Sequence, residues 1–317
     1  MVDDDDIARS KAIQQRTGKT FHVATRLLPE RVREPTYVMY AFFRVADEVV
    51  DDPGDRTPEE QRAELITLKR AALGEIEAED PVIAAFSEMR ARHGIADADV
   101  EIFIDAMLAD IETSRYETYD ELEAYMDGSA SAVGRMMTAV MEPEQPETAL
   151  PHATALGEAF QMTNFLRDVR EDIVERDRIY LPQATLERHD VSEKELFNFE
   201  MSPQFAAVMK DELRRTERLY EEGVAGIKYL PKDCQLAVLL AAVLYADHHR
   251  AIRTLEYDVL STTPQLSTAR KLYLAAKTRW RWAWNKDPEA VFSEVSSIGQ
   301  SGGRHHGAEP VERLPTR

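Results

Sequence analysis

Residues 40–51 read Tyr40-Ala41-Phe42-Phe43-Arg44-Val45-Ala46-Asp47-Glu48-Val49-Val50-Asp51, and residues 161–172 read Gln161-Met162-Thr163-Asn164-Phe165-Leu166-Arg167-Asp168-Val169-Arg170-Glu171-Asp172. Each stretch ends in two aspartates four apart. On a helix such residues share a face, so Asp47 and Asp51 project side by side with Arg44 one turn earlier, and Asp168 and Asp172 repeat the arrangement. Like charges at that spacing destabilise an isolated helix by roughly 0.2–0.5 kcal/mol, and a single pair in an acid-rich chain is ordinary solvated surface. The company these pairs keep argues otherwise. Tyr40, Phe42, Phe43, Val45, Val49 and Val50 surround the first, and Phe160, Phe165, Leu166, Val169 and Ile173 the second. Carboxylates in such surroundings are costly unless something cationic pairs with them.

Outward from these copies, apolar residues recur at helical spacing through most of the chain, as in Val100, Phe103, Ile104, Met107, Leu108 and Ile111. Strand-like alternation is absent. Pro and Gly fall between such segments, at Gly18, Pro29, Pro53-Gly54, Pro81, Gly94, Pro143, Pro146, Pro182, Pro203, Pro231 and Pro264. The pattern predicts an all-α fold of about ten helices. Residues 10–295 are expected to form a single domain, since the two aspartate copies lie far apart in sequence and must converge on one cavity. Residues 1–9 form an acidic tip around Asp3-Asp4-Asp5-Asp6, and residues 296–317, rich in Gly, Ser, Pro and His, read as a disordered tail. His305 and His306 on that tail read as incidental.

The 317 residues carry 58 acidic against 39 basic side chains, a net charge of −19, and only 10 of the basic ones are lysine. A chain this negative, with no long Lys/Arg run, excludes a nucleic-acid partner. An acid-rich, lysine-poor surface fits a protein working in concentrated salt, where counter-ions screen self-repulsion. The lone Cys234 cannot form an internal disulfide, the acidic start is the opposite of a secretory signal, and no apolar run reaches the ~18 residues of a membrane span. Cytoplasm is the expected compartment. The longest apolar run, Leu236 to Ala246, reads as a buried helix.

Four carboxylates facing one another across a bundle make an oxygen-only site suited to Mg²⁺, with Mn²⁺ as a substitute, and substrate phosphates completing the octahedron. Arg44 and Arg167 are placed to grip the same phosphates. A di-iron centre requires Glu-x-x-His on two helices, and none of the eight histidines has Glu three residues before it. Mg²⁺ held against a diphosphate neutralises a leaving group so that an allylic carbocation can depart, and such a cation needs a dry cavity with aromatic faces. Phe21, Tyr40, Phe43, Tyr125, Phe160, Phe165 and Tyr245 are candidates, although aromatics at helical spacing are more often plain core.

Through these residues the sequence resembles the squalene/phytoene synthase family, most closely its phytoene synthase branch, over residues 10–285. The resemblance rests on Lys19-Thr20-Phe21, Arg26-Leu-Leu-Pro29, the two aspartate copies and Arg178-Ile-Tyr180-Leu-Pro182. It implies an isoprenoid-synthase helical bundle with a central cavity and a head-to-head (1′-1) condensation of two geranylgeranyl diphosphates. The product would be phytoene, formed through prephytoene diphosphate, at the first committed step of carotenoid biosynthesis. It further implies that Asp47 and Asp51 hold metal and one diphosphate, that Asp168 and Asp172 hold metal and the other, and that no NADPH is needed. Tyr40 and Arg44 would bind substrate beside the first pair, and Gln161, Asn164 and Arg167 beside the second. Tyr125 matches the family tyrosine near the second ionisation, and Tyr245 and Arg270 are weaker placements. Thr17-Gly18 and Ser129-Ala-Ser-Ala-Val-Gly134 depart from the family pattern, which bears on pocket depth.

Three alternatives stay open. Asp51-Asp52-Pro53-Gly54-Asp55 matches the Asp-Asp-x-x-Asp of head-to-tail synthases, but Pro-Gly should end the helix and leave Asp52 and Asp55 outside the site. Squalene or dehydrosqualene synthesis from farnesyl diphosphate is nearer. A catalytically silent assembly factor of the same family would be expected to lose some aspartates, and all four are present. The greasy substrates and product are compatible with peripheral contact at the inner face of the cell membrane, on a patch that periodicity does not locate.

Overall fold

The computed structural model describes residues 24–298, in which fourteen α-helices follow one another and no strand occurs. The helices are α1 (Glu30–Asp51), α2 (Pro58–Ala72), α3 (Pro81–His93), α4 (Asp97–Ala109), α5 (Tyr119–Met126), α6 (Ala132–Met141) and α7 (Pro146–Arg167). The second half holds α8 (Val169–Arg176), α9 (Gln183–Arg188), α10 (Glu193–Phe197), α11 (Pro203–Ala225), α12 (Lys232–Thr254), α13 (Thr268–Trp284) and α14 (Pro288–Val295). The all-α expectation holds. The surplus over ten comes from short helices such as α9 and α10, which span too few turns for a periodic apolar pattern to register. Asp3–Asp6, Lys19-Thr20-Phe21, His305 and His306 lie outside the described residues.

Local chemistry explains most boundaries. Pro58, Pro81, Pro203 and Pro288 open their helices, where the missing N–H is no loss, behind capping side chains from Thr57, Asp80, Ser202 and Asp287. Gly94 closes α3 in the left-handed conformation. Two prolines break the expected punctuation: Pro35 and Pro151 sit inside α1 and α7. Both fall in the second turn, where the lost bond and the ring clash touch only the helix's beginning. The chain packs past the expected tail boundary too, with Ser296 and Ile298 buried beside α14.

The long helix α7 runs between α6 and α11, and it approaches both closely. A Cβ on Gly134 of α6 would lie 2.5 Å from the Ala153 carbonyl oxygen, and a Cβ on Gly223 of α11 would lie 2.8 Å from the Leu156 Cα, so only glycine fits at either contact. A π-helical turn, Asp127–Ser131, joins α5 to α6 against the same helix. On the far side α12 buries Leu239, Leu240, Val243 and Leu244, as expected of the Leu236–Ala246 run. Cys234 is buried at its start, and burial pushes its thiol up to about 12.

Candidate active site

One cavity of about 1050 Å³ collects both aspartate copies. The first copy lies on α1, where helical geometry places Tyr40, Arg44, Asp47 and Asp51 along the cavity wall. Asp52 caps α1 and exposed Asp55 follows the Pro53-Gly54 turn; neither lines the cavity, so the literal Asp-Asp-x-x-Asp match is not assembled. The second copy departs from the expected continuous helix. The α7 helix ends at Arg167, Asp168 sits at φ −104° and ψ 15°, and α8 starts at Val169. The Asp172 amide still donates to the Asp168 carbonyl at 2.9 Å, so the two side chains remain one turn apart across this joint.

Arginines hold all four carboxylates. Arg44 Nη1 donates to Asp47 Oδ2 at 2.6 Å, and Arg167 grips Asp168 through Nε (2.7 Å) and Nη2. Arg176, at the end of α8, reaches Asp51 Oδ2 at 3.2 Å and Asp172 Oδ1 at 3.4 Å and so ties the two copies together. Arg178 stands 3.5 Å from Asp51 Oδ1 and donates to the Asp110 carbonyl at 2.8 Å. Among the described residues no three acidic, His or Cys side chains converge on one point. The expected ring of four facing carboxylates is therefore a pair of arginine-spanned couples.

Charge in this pocket is expensive. Burial, reinforced by Asp51, pushes the Asp47 carboxyl up to about 6, and burial with Asp168 pushes Asp172 up to about 8. Asp110, which follows α4, is raised to about 7 by burial despite Arg178. The arginines do not fully offset the cost of burial, so these carboxyls hold their protons more tightly than free ones, and a bound cation would draw them back to the charged form. Such a donor set fits a hard divalent cation.

Beside the carboxylates stands an aromatic stack. Tyr125 on α5 donates its hydroxyl to Asp110 Oδ2 at 2.8 Å, and Phe165 on α7 stacks on Tyr180 with centroids 3.8 Å apart. Gln161, Asn164 and Tyr245 also line the cavity, with Tyr245 stacked on Phe160 at 4.6 Å. Arg270 does not. It lies on α13 with its guanidinium on buried Asp247 (2.7 and 3.0 Å), which spends its charge away from the cavity. Asp110, Arg176 and His248 are cavity residues that the sequence reading did not single out. Burial, then Arg167, pulls His248 down to about 4, so its imidazole is neutral.

The squalene/phytoene synthase family pattern matches residues 14–270. The chain belongs to this family. Its relatives include the 15-cis-phytoene synthase of Synechococcus elongatus, 32% identical over 83% of this chain and 88% of that one. The phytoene synthase of Rhodobacter capsulatus is 33% identical over 83% and 78%. Among solved structures of the family fold, a dehydrosqualene synthase in complex with ligand superposes with a TM-score of 0.80 at 28% identity, covering 89% of this chain and 98% of that one. A squalene synthase from Alicyclobacillus acidocaldarius shares the fold at 23% identity and a TM-score of 0.69. Family membership makes Arg178-Ile-Tyr180, quoted above for its resemblance alone, part of the matched region that builds the cavity.

Proposed function

We propose that the protein is a phytoene synthase that joins two geranylgeranyl diphosphates head to head through prephytoene diphosphate. The observation that carries this reading is the convergence of both aspartate copies, bridged by Arg176, on one cavity that continues into apolar and aromatic lining. The names of the curated relatives support the C40 product. The condensing unit expected over residues 10–295 takes in buried Ser296 and Ile298 as well, and the acid-rich, lysine-poor composition supports work in concentrated salt in the cytoplasm. Among the described residues no helix is long and apolar enough to cross a membrane.

Asp47, Asp51, Asp168 and Asp172 would hold Mg²⁺, which supplies electrostatic neutralisation of the diphosphate leaving groups. Arg44, Arg167, Arg176 and Arg178 release their carboxylates and turn to diphosphate oxygens, for which guanidinium forks are suited. Tyr40, Gln161 and Asn164 orient the bound diphosphates. The stack of Tyr125, Phe165 and Tyr180 presents ring faces to the allylic cation and excludes water. Each half-reaction expels one diphosphate and one proton, so the product forms without a hydride donor.

Incubating the pure protein with Mg²⁺ and either farnesyl or geranylgeranyl diphosphate, with and without NADPH, tests the assignment. A C40 product from geranylgeranyl diphosphate, independent of NADPH, is expected. A C30 product alone would instead support the activity named for the dehydrosqualene synthase neighbour.

A further inference from the structure

Helix α13 joins basic side chains to exposed aromatic ones. Its seventeen residues include Arg270, Lys271, Lys277, Arg279 and Arg281 and no acid, in a chain of net charge −19. All three tryptophans of the protein lie on it. Leu274, Thr278 and Trp282 turn inward and are buried against α12 and α14, which satisfies the helix's structural need for an apolar face.

A second apolar face points outward. Leu272 is 65% exposed, Tyr273 53%, Trp280 58% and Trp284 82%. At 3.6 residues per turn these four, with exposed Ala276 and Ala283, fall in one stripe about 120° wide. Arg279 borders the stripe on one side and Lys277 and Arg281 on the other. Glu294 accepts from Lys277 through its carbonyl (2.9 Å) and pairs with Arg281 (3.1 Å), which leaves the helix net positive. The first turn of α13 also touches the cavity, through Lys271 and the preceding loop 263–266.

Tryptophan, tyrosine and leucine edged by arginine and lysine match the membrane–water interface, where rings settle at headgroup depth and cations meet phosphate. A second copy of this chain is a poorer occupant, because stacking two such helices would bring like charge against like. We propose that α13 lays this stripe on an anionic lipid surface, which sets the cavity wall at Lys271 and loop 263–266 beside the bilayer. Its purpose rests on the proposed reaction, whose substrate tails and product are lipid-soluble; the surface itself is read from α13 alone.

Vesicle flotation of the full chain, paired with acrylamide quenching of tryptophan emission, tests this. The protein should float with phosphatidylglycerol vesicles and not with phosphatidylcholine at about 0.1 M salt, and its emission should become shielded only when those vesicles are added. Replacing both exposed rings (Trp280→Ser with Trp284→Ser) should cut vesicle affinity about tenfold. Arg279→Glu should weaken it several-fold in low salt and little in concentrated salt. All variants should keep turnover on detergent-dispersed substrate. Unchanged flotation in the double variant overturns the proposal. So does shielding without vesicles, which at every protein concentration means the chain covers its own stripe and only at high concentration means a second copy does. Flotation without turnover in the unsubstituted protein would sink the proposed reaction and leave the surface standing.

Discussion

Asp47 and Asp51 stand on an unbroken helix of 22 residues, whereas Asp168 stands at the joint where α7 stops and α8 begins. Equal spacing in sequence has produced unequal backbones. In the first copy Asp47 has Arg44 of its own helix, but Asp51 draws its cations from elsewhere: Arg176 and Arg178, beyond the second copy, both reach it. In the second copy the partner of Asp168 is its neighbour Arg167, and Asp172 gains favourable dipole contact in the first turn of α8. The charge balance of the first copy thus depends on the chain that follows the second, and Arg176 is the one side chain that serves both.

Four substitutions put this contrast to the test. The largest effect is expected from Asp47→Asn and Asp168→Asn, each lowering kcat on the order of 10³-fold with the helical circular-dichroism signal intact. Full activity in both would end the reading of two copies acting on one substrate pair. Arg176→Ala should lower kcat/KM by roughly 10²-fold, and Arg44→Ala, which serves one copy only, by about tenfold. Equal losses would remove the asymmetry.

Glu158 on α7 is a buried carboxylate whose hydrogen bond comes from a hydroxyl instead of an arginine. Glu158 is 7% exposed, accepts from the Ser131 hydroxyl at 3.0 Å, and is raised by burial to about 7. Its folded value lies above its unfolded one, so the cost of its charge is absent below the unfolded value of 4.5 and grows as pH rises to about 7. Glu158→Gln should therefore stabilise the protein by about 2 kcal/mol at pH 8 and by almost nothing at pH 4, read from urea denaturation midpoints. A gain independent of pH would count against burial as its source. Tyr125→Phe, expected to match Arg44→Ala in size, removes the hydroxyl bond to Asp110. Product analysis should show prephytoene diphosphate accumulating as the second step slows about tenfold, about 1.4 kcal/mol.

Helical periodicity and the two aspartate copies were legible in the sequence because both are local patterns, and the structure brings those residues to one cavity. The joint at Asp168 was not, since Leu166, Val169 and Ile173 continue the apolar rhythm straight through it. Asp110 was hidden by Asp105 and Glu112, neighbours that make it look like one more solvated acid; only its packing against Tyr125 and Arg178 distinguishes it. Arg176 is one of 29 arginines, and its reach to Asp51 spans 125 residues. Arg270 went the other way. A plausible placement by resemblance is consumed by Asp247, whose burial nothing in the sequence announced.

The glycine contacts on α7 carry one more consequence. With backbone meeting backbone at Gly134 and side chain meeting backbone at Gly223, this helix cannot slide or tilt to admit a longer isoprenoid. Adjustment falls to the unbranched, pliable thioethers that α1, α4 and α6 send into the same space, Met39, Met107, Met137 and Met141. Under the proposed reaction, residue volume at these methionines would set prenyl-chain length, and selection could retune it without touching the two aspartate copies.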